Sequence, residues 1–202
     1  MCISYLVYDG IWDENRWHLS DFYWDYFLEK TGKDTDEEVF PGRAAPIIAR
    51  NRNGNPRVFP MLFGYSYSRK SRKGVNARVE TAAEKPSFRE SWQTRRCIVP
   101  ASFYMEWEHA ENETTGRMEA RKWTVGTQQD AIWMCGLYRM HEGICQFVIL
   151  TMDAAEEIRF IHDRMPVLLP ENAILSWLDP TVPPELTLES RITKDFCCEP
   201  AW

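Results

Sequence analysis

Short apolar runs bounded by turn residues recur along this chain and predict a β-rich fold. Each run is rich in β-branched or aromatic residues, as strands are. The runs span residues 97–107, 121–126, 131–138 and 144–151. The opening stretch "CISYLVY" is similarly β-prone. Two more strands are predicted in "APIIARNRNGNPRVFPMLFGYSYS", where Asn53-Gly54 suits a tight hairpin turn.

Helical spacing is found in three shorter segments. The stretch "HLSDFYWDYFLEKTGK" predicts an amphipathic helix, with Ser20 as N-cap and Gly32 as its stop. Later helices are predicted in "AAEEIRFIH" after Asp153 and in "ENAILSWLD" after Pro170. With no repeat, linker or low-complexity segment, residues 1–202 are predicted to form a single α+β domain. Its expected core is a bent sheet or barrel, with several short flanking helices.

Composition narrows the class of protein. A chain of 202 residues with 44% hydrophobic content can bury one sizeable core. The apolar runs are too short to span a membrane and the N-terminus lacks signal-peptide character, so we expect a cytoplasmic protein. The six cysteines include no C-x-x-C pair and no histidine at metal-ligand spacing. We therefore expect no zinc site and no disulfide framework, but reduced and mostly buried thiols.

Charge is distributed unevenly along the chain. The net charge of −6 argues against a generally basic nucleic-acid binder. Residues 69–96, however, hold nine Lys or Arg against three Glu, which is +6 and leaves −12 on the remainder. One face is therefore expected to attract a polyanion while the rest repels it. The alternative is an ordinary solvated loop around "SRKSRKG".

The cysteine at position 2 raises a chemical question. Removal of Met1 would give Cys2 a free α-amine beside its thiol, a 1,2-aminothiol in which both nucleophiles are partly available near neutral pH. The alternative is that Cys2 is simply a small apolar residue at the start of a strand. The rest of the chain must decide between these interpretations.

Two segments place polar groups beside residues expected to be buried. In "GVNARVET", Asn76 can hold a reactive nitrogen or oxygen through its amide and Arg78 can bind a phosphate, unless the two are a turn residue and a surface cation. In "CIVPASFYMEWEH", Glu106 lies in an apolar and aromatic strand and is a candidate for proton transfer, unless it points outward. Strand alternation places Trp107 on the opposite face, as a core residue or a base-stacking platform.

A third segment, "FVILTMDAAEEIRFIHDRMPVLLP", carries His162 at the end of its predicted helix. An imidazole there can shuttle a proton near neutral pH, although a helix C-terminus also suits histidine for electrostatic reasons alone. Thr151, at the end of a predicted strand, can hydrogen-bond a phosphate or cap the following turn.

Taken in order, Cys2, "NARVET", "PASFYMEW" and "HDRMPV" resemble the SOS response-associated peptidase (SRAP) domain. This family includes the eukaryotic abasic-site sensors known as 5-hydroxymethylcytosine-binding, ES-cell-specific proteins. The resemblance runs from residue 2 to about 178. It implies a β-rich single domain with a groove for single-stranded DNA, and it puts Cys2, Asn76, Glu106 and His162 on the family's active-site positions.

The chain departs from the family pattern at three places. The family usually opens M-C-G-R, whereas Ile3 and Ser4 follow Cys2 here, so an arginine beside the active site is missing. Arg43 in "FPGRAAP" is a candidate replacement for that charge. "FGY" stands where the family has W-G-L, which makes Phe63 the candidate stacking residue. The family's G-F-Y-E-W run appears as "FYMEW" and loses its glycine.

By this resemblance, the expected function is covalent capture of abasic sites in single-stranded DNA. The aldehyde of an open abasic sugar would react first with the Cys2 amine and then with its thiol, closing a thiazolidine ring. Asn76 would orient the amine, Glu106 would move protons, and His162 would assist ring opening or imine formation. Neither a metal nor a cofactor is expected. Met1 would be removed, leaving Cys2 at the N-terminus, by autoproteolysis or, as we favour, by ordinary aminopeptidase trimming.

The expected partner is single-stranded DNA containing abasic sites, bound by a monomer that joins the nucleoid on damage. Arg78 would bind a flanking phosphate, and Thr151 is a second candidate for a phosphate contact. Phe63, Trp107 and Pro41 are candidates to contact or wedge bases. Two alternatives remain open: an N-terminal cysteine hydrolase acting on amides, and a non-catalytic reader of modified DNA. A lyase activity is also compatible with the imine chemistry.

Overall fold

The computed structural model describes residues 4–7, 38–66, 74–112 and 114–201. The strands in these ranges are β1 (Ser4–Leu6), β2 (Glu38–Val39), β3 (Ala44–Arg50), β4 (Pro56–Phe63), β5 (Asn76–Arg78), β6 (Arg96–Ala101), β7 (Phe103–Glu111), β8 (Met118–Thr127), β9 (Ile132–His141), β10 (Ile144–Asp153), β11 (Arg164–Pro166), β12 (Leu168–Leu169) and β13 (Phe196–Pro200). The helices are α1 (Val79–Ala82), α2 (Arg89–Thr94), α3 (Ile174–Leu178) and α4 (Pro184–Leu188), with 3-10 turns at Glu156–Ile158 and Glu171–Ala173.

The larger sheet closes on itself. Strand β10 pairs in parallel with β4 and antiparallel with β9, and the path β10-β4-β3-β6-β9 returns to β10. Strands β5, β11 and β12 extend this ring at its margins. Closure removes the open edges that a flat sheet would leave. The predicted barrel-like, β-rich core with a few short helices is therefore confirmed.

The smaller sheet has the order β13-β8-β7-β1-β2. Its inward side chains join the same hydrophobic core as the barrel. The ring of Tyr5 in β1 meets Phe63 in β4 edge-on at 5.9 Å, and Phe63 stacks on Phe147 in β10 at 4.9 Å. The first strand of the chain is thereby packed against the barrel.

The hairpin between β3 and β4 forms as predicted, but its turn is longer than a two-residue Asn-Gly turn. Arg50 pairs with Pro56, so five residues lie between the strands. The side-chain oxygen of Asn51 accepts the amides of Asn53 and Asn55, at 2.9 and 3.0 Å. Only Gly54, among the residues of this turn, has a positive φ. An Asx turn therefore replaces the predicted Asn53-Gly54 turn.

The prediction of a helix after Asp153 is wrong. Asp153 is the last residue of β10, where it pairs with Arg164 and binds that side chain, so it does not cap a helix. Only the 3-10 turn Glu156–Ile158 follows, and His162 lies in the connection to β11. The helix predicted after Pro170 is present as a 3-10 turn followed by α3. Cys2 and the helix predicted between Ser20 and Gly32 lie outside the described residues.

No helix in the described ranges is long and apolar enough to cross a membrane.

Candidate active site

The start of the chain is anchored beside Glu106. Strand β1 pairs antiparallel with β7, and Ser4 lies opposite Met105. The Ser4 hydroxyl donates to the Glu38 carboxylate, which also binds Lys122 Nζ at 2.6 Å. Ser4 is 1% exposed, so this hydrogen bond satisfies a buried polar group. The residues that directly follow Cys2 and Ile3 are thus held between β7 and β2.

Glu106 is buried in the middle of β7, at 3% exposure. Its neighbours on the strand include Tyr104, also buried, and Trp107, which is half-buried on the opposite face. One carboxylate oxygen, Oε1, accepts the Trp107 amide at 3.1 Å. Across the ladder Glu106 lies opposite Trp123. The sequence left open whether Glu106 points inward or outward, and its burial shows that it points inward.

Trp123 connects the Glu106 face to the segment that carries His162. Directly opposed residues of an antiparallel pair share a face, so Trp123 and Glu106 lie on the same side of the sheet. The Trp123 ring meets the ring of Phe160 edge-on at 5.2 Å, and its indole N–H donates to Glu108 at 2.8 Å. Phe160 precedes His162 by two residues. The structure therefore brings the His162 segment against the strand beside Glu106.

Asn76 and Arg78 begin and end the short strand β5. This strand pairs in parallel with β10, with Asn76 opposite Ile149 and Arg78 opposite Thr151. Arg78 is exposed and Asn76 is half-buried. Thr151 is fully buried, and its hydroxyl makes no hydrogen bond to any residue that the structure describes. Arg78 is therefore open to a phosphate, whereas Thr151 is not.

A buried arginine that sequence reasoning missed joins the two motifs. Arg164 Nη1 and Nη2 each bind one oxygen of Glu80, both at 2.8 Å. The guanidinium also donates to the Asp153 carboxylate and, at 2.8 Å, to the Thr151 carbonyl. Glu80 is the acidic residue of the motif "NARVET", and Arg164 is the arginine of the motif "HDRMPV". We call Arg164 with Glu80, Asp153 and the Thr151 carbonyl the Arg164 network.

Arg164 and Glu80, two of the charged groups in the Arg164 network, stabilise each other. The hydrogen bond that Arg164 donates to the Glu80 carboxylate raises the pKa of Arg164 above its ordinary value. Burial alone would raise the pKa of the Glu80 carboxyl, but its hydrogen bond to Arg164, a backbone hydrogen bond and the charges of Arg164 and Arg78 outweigh burial and lower it. The paired, charged state is therefore the stable one at neutral pH.

His162 is held through its Nδ1 atom. The Arg164 amide donates to Nδ1 at 3.0 Å, and Asp163 Oδ1 lies 2.7 Å from the same nitrogen. The His162 side chain is 30% exposed. The backbone of the following residue is also fixed, since the Ala154 amide donates to the Asp163 carbonyl at 2.9 Å. An imidazole that is held in place and partly open to solvent can exchange protons with a bound substrate.

The residues predicted to contact DNA bases are placed very differently. Phe63 is fully buried between Tyr5 and Phe147, so it has no ring face for a base and its predicted stacking role is wrong for this structure. Pro41 and Arg43 are exposed on the turn between β2 and β3. Gly42 in that turn has a φ of 90°, which favours glycine. Trp107 is half-buried and lies opposite Lys122.

The basic segment 69–96 is not one uniform basic surface. Arg96 is 4% exposed and points into the molecule. Arg95 forms an ion pair with Glu90 at 3.0 Å. Arg69, Lys70, Arg72 and Lys73 lie outside the described residues, while Arg78, Lys85 and Arg89 are exposed.

A cavity of about 440 Å³ lies on the other face of the smaller sheet. Leu6, Phe103 and Met105 form its apolar part, and Glu38 and Lys122 are among its polar residues. Phe103 and Met105 alternate with Glu106, so this cavity and Glu106 are on opposite faces. Asn76, Glu106 and His162 do not line it. In the described ranges no group of three or more His, Cys, Asp or Glu could hold a metal ion.

Comparison with known proteins identifies relatives over most of the chain. The family model "SOS response associated peptidase (SRAP)" matches residues 15–197. The abasic site processing protein YoaM of Bacillus subtilis is 29% identical over 191 residues, which cover 89% of this chain and 80% of YoaM. The abasic site processing protein YobE of the same organism is 36% identical over 113 residues, covering 54% of this chain and 50% of YobE.

A solved structure supports the same fold. The crystal structure of a protein from Bacteroides thetaiotaomicron has a TM-score of 0.78 and 22% sequence identity, and the match covers 98% of this chain and 91% of the other. The closed ring of strands and the short helices are thus shared with a protein of distant sequence.

Proposed function

This chain belongs to the SOS response associated peptidase family, and we propose on that basis that it captures abasic sites in single-stranded DNA through Cys2. The names of its relatives YoaM and YobE supply the substrate class. The observation that carries the proposal for this chain is the pairing of β1 with β7. Two residues of chain reach at most about 7 Å, so covalent geometry keeps the Cα of Cys2 close to that of Ser4, which pairs beside the buried Glu106.

The proposed reaction is a condensation without oxidation or reduction. The Cys2 amine attacks the aldehyde carbon of the open sugar, and loss of one water gives an imine. The thiol then adds to the imine carbon, with its proton passing to the nitrogen, and closes a five-membered thiazolidine. Both nucleophiles belong to one residue, so the reaction requires an N-terminal cysteine from which Met1 has been removed.

The described thiols support the choice of Cys2 as nucleophile. Burial raises the pKa of the Cys97 and Cys135 thiols well above their ordinary range. Burial also raises the pKa of Cys145 and Cys198. A thiol with a raised pKa is a poor nucleophile near neutral pH because little of it is thiolate. Cys197 is exposed and serves as a control for adventitious thiol reactions.

Three side chains are assigned to proton handling and orientation. Asn76 orients the Cys2 nitrogen, and Glu106 moves protons between amine, carbinol and thiol. His162 assists sugar-ring opening: the C1′–O4′ bond breaks, O4′ gains a proton and the C1′ hydroxyl loses one. The Trp123–Phe160 contact supports a shared location for the buried Glu106 and the segment that carries His162.

Exposed residues are assigned to the DNA strand. Arg78 binds a phosphate next to the lesion, and Arg43 adds positive charge on the turn that also presents Pro41. Trp107 is the remaining aromatic candidate for base contact, because it is half-buried whereas Phe63 is enclosed. Removal of Met1 by autoproteolysis is a further activity that the family's peptidase name supports.

Intact mass spectrometry tests the proposal directly. The protein is incubated with a single-stranded oligonucleotide that bears one abasic site, and in parallel with one that bears a tetrahydrofuran analogue, which has no aldehyde. The expected product is the protein without Met1 plus the abasic oligonucleotide minus one water. Cys197→Ser should form it and Cys2→Ala should not. An undiminished adduct with Cys2→Ala, or with retained Met1, would contradict the aminothiol mechanism.

A further inference from the structure

The Arg164 network joins two stretches that are distant in sequence. Glu80 follows Arg78 by two residues and lies in the first turn of α1, while Arg164 begins β11. Their paired hydrogen bonds connect positions 84 residues apart. Arg164 is 8% exposed. Through this contact the strand that bears Asn76 and Arg78 is linked to the connection that bears His162.

The backbone of Arg164 acts on the imidazole itself. Its amide donates to His162 Nδ1 at 3.0 Å. A neutral imidazole has one N–H donor and one bare nitrogen, so a ring that accepts through Nδ1 must carry its proton on Nε2. The position of the Arg164 amide therefore selects one of the two neutral tautomers.

Asp163 offers the competing arrangement. Its Oδ1 lies 2.7 Å from the same Nδ1, a contact that is favourable only when this nitrogen carries a proton. The Asp163 side chain is 81% exposed, so solvent weakens its attraction. Loss of the Arg164 amide from its present position would leave Nδ1 free to take the proton and donate to Asp163. The two contacts correspond to different proton positions on one ring.

We propose that Arg164, fixed by Glu80, is a positioning residue that keeps neutral His162 in the form with its proton on Nε2. This inference rests on the proposed function, in which His162 helps to open the abasic sugar. The Nε2–H then faces away from the Arg164 amide and is the donor that can serve O4′ of the sugar. Arg164 itself is buried, and its guanidinium is bound to two carboxylates and one carbonyl.

A spectroscopic experiment without DNA tests the tautomer. The protein is labelled with 15N in its histidines, and His162 is assigned with a His162→Ala variant. The wild type should show one neutral tautomer, protonated on Nε2. Glu80→Gln and Arg164→Met should show averaged signals of both tautomers. Two matched surface variants, Glu156→Gln and Arg159→Met, remove the same charges from an exposed ion pair that shortly precedes His162 in the sequence. These variants should keep the single tautomer of the wild type.

Capture kinetics test the consequence for the reaction. Glu80→Gln and Arg164→Met should slow capture of an abasic oligonucleotide by about tenfold to a hundredfold, as expected when a reacting group is misplaced. Arg164→Lys should recover part of the rate, since it keeps the charge. The surface variants should react like the wild type.

The outcomes separate this inference from the function on which it rests. A wild type that never captures abasic DNA refutes the function, while the tautomer measurement stands independently. An unchanged single tautomer in Glu80→Gln overturns the positioning role, and so does an unchanged capture rate. If Arg164→Met does not fold, Glu80→Gln decides alone, because Glu80 is partly exposed and its variant keeps the side-chain size.

Discussion

Two buried arginines, Arg96 and Arg164, occupy regions with opposite chemistry. Arg96 donates to the carbonyls of Trp92, Gln93, Trp177, Asp179 and Val182 and lies over the Trp177 ring at 5.4 Å. Arg164 binds two carboxylates and one carbonyl. We call the first region the Arg96 clamp; it ties α2 and β6 to the segment around α3.

The difference shows in how each cation responds to its surroundings. Burial lowers the pKa of Arg96, and it outweighs the opposing effect of the negative charges of Asp179 and Glu185. The hydrogen bond that Arg164 donates to Glu80 raises the pKa of Arg164. The Arg96 clamp is thus a purely structural device, whereas the Arg164 network couples charge to the candidate active site. The same residue type holds the fold in one region and orients chemistry in the other.

Substitutions at Glu106 and His162 are expected to slow the capture reaction most, without unfolding the protein. Glu106→Gln keeps size and hydrogen bonding but cannot exchange a proton, so ring closure should slow by about 10²- to 10⁴-fold. Borohydride should then trap more imine than in the wild type. His162→Ala should reduce every covalent species instead, because His162 acts before the imine. Quenched time courses measure the capture rate of each variant, and thermal melts measure its stability. If both variants melt and react like the wild type, Glu106 and His162 have only structural roles.

The opposite failure is expected in the Arg96 clamp. Arg96→Met leaves several buried carbonyls without their donor and should lower the free energy of unfolding by about 3–5 kcal/mol. Capture per folded molecule should be unchanged, because Arg96 lies apart from the candidate site. Chemical denaturation and active-fraction titration measure the two quantities. A large loss of rate at full folding would mean that the two regions are not separable.

Acid should distinguish the two regions in the wild type. The pKa of Glu80 is lowered in the fold, so its contribution to stability is present above the ordinary value of 4.5 and is lost as the pH falls through the folded pKa. Glu80→Gln should therefore be less stable than the wild type near about pH 7, and the difference should shrink as the pH falls through the folded pKa of Glu80. Unfolding free energies measured across an acid pH series test this. A difference that persists in acid would show that charge is not its source.

The smallest expected effect concerns the exposed arginine Arg78. Its charge reversal, Arg78→Glu, should slow capture of abasic DNA at low DNA concentration but hardly affect reaction with a small free aldehyde. Loss of one phosphate contact should lower the salt dependence of DNA binding by about one unit of slope. Capture rates across a salt series measure it. Equal losses with both aldehydes would assign Arg78 to the fold.

Much of this arrangement follows from local patterns in the sequence. The apolar run 97–107 predicted strand structure at Glu106, and alternation put Trp107 on the opposite face, because side chains in a strand repeat every two residues. Phe63 could not be assigned in this way, since an aromatic residue suits both a stacking surface and a core. Its enclosure depends on Tyr5 and Phe147, which come from distant strands.

The wrong helix prediction at Asp153 and the missed role of Arg164 have a common cause. An aspartate before "AAEE" is a good local signal for a helix start, but pairing with β11 extends β10 through Asp153. The carboxylate is then engaged by Arg164 instead of capping a helix. The link from Arg164 to Glu80 joins residues that no local pattern relates. Tertiary contacts of this kind decide the site yet leave no periodic signal in the chain.

Thiazolidine formation between Cys2 and the abasic aldehyde can be observed by NMR of a labelled lesion. An oligonucleotide whose abasic C1′ carries 13C is reacted with the protein under native conditions. The aldehyde and hemiacetal signals should be replaced by the signal of one saturated carbon bonded to nitrogen and sulfur. Persistence of an unsaturated imine carbon, or no change at C1′, would contradict thiazolidine formation.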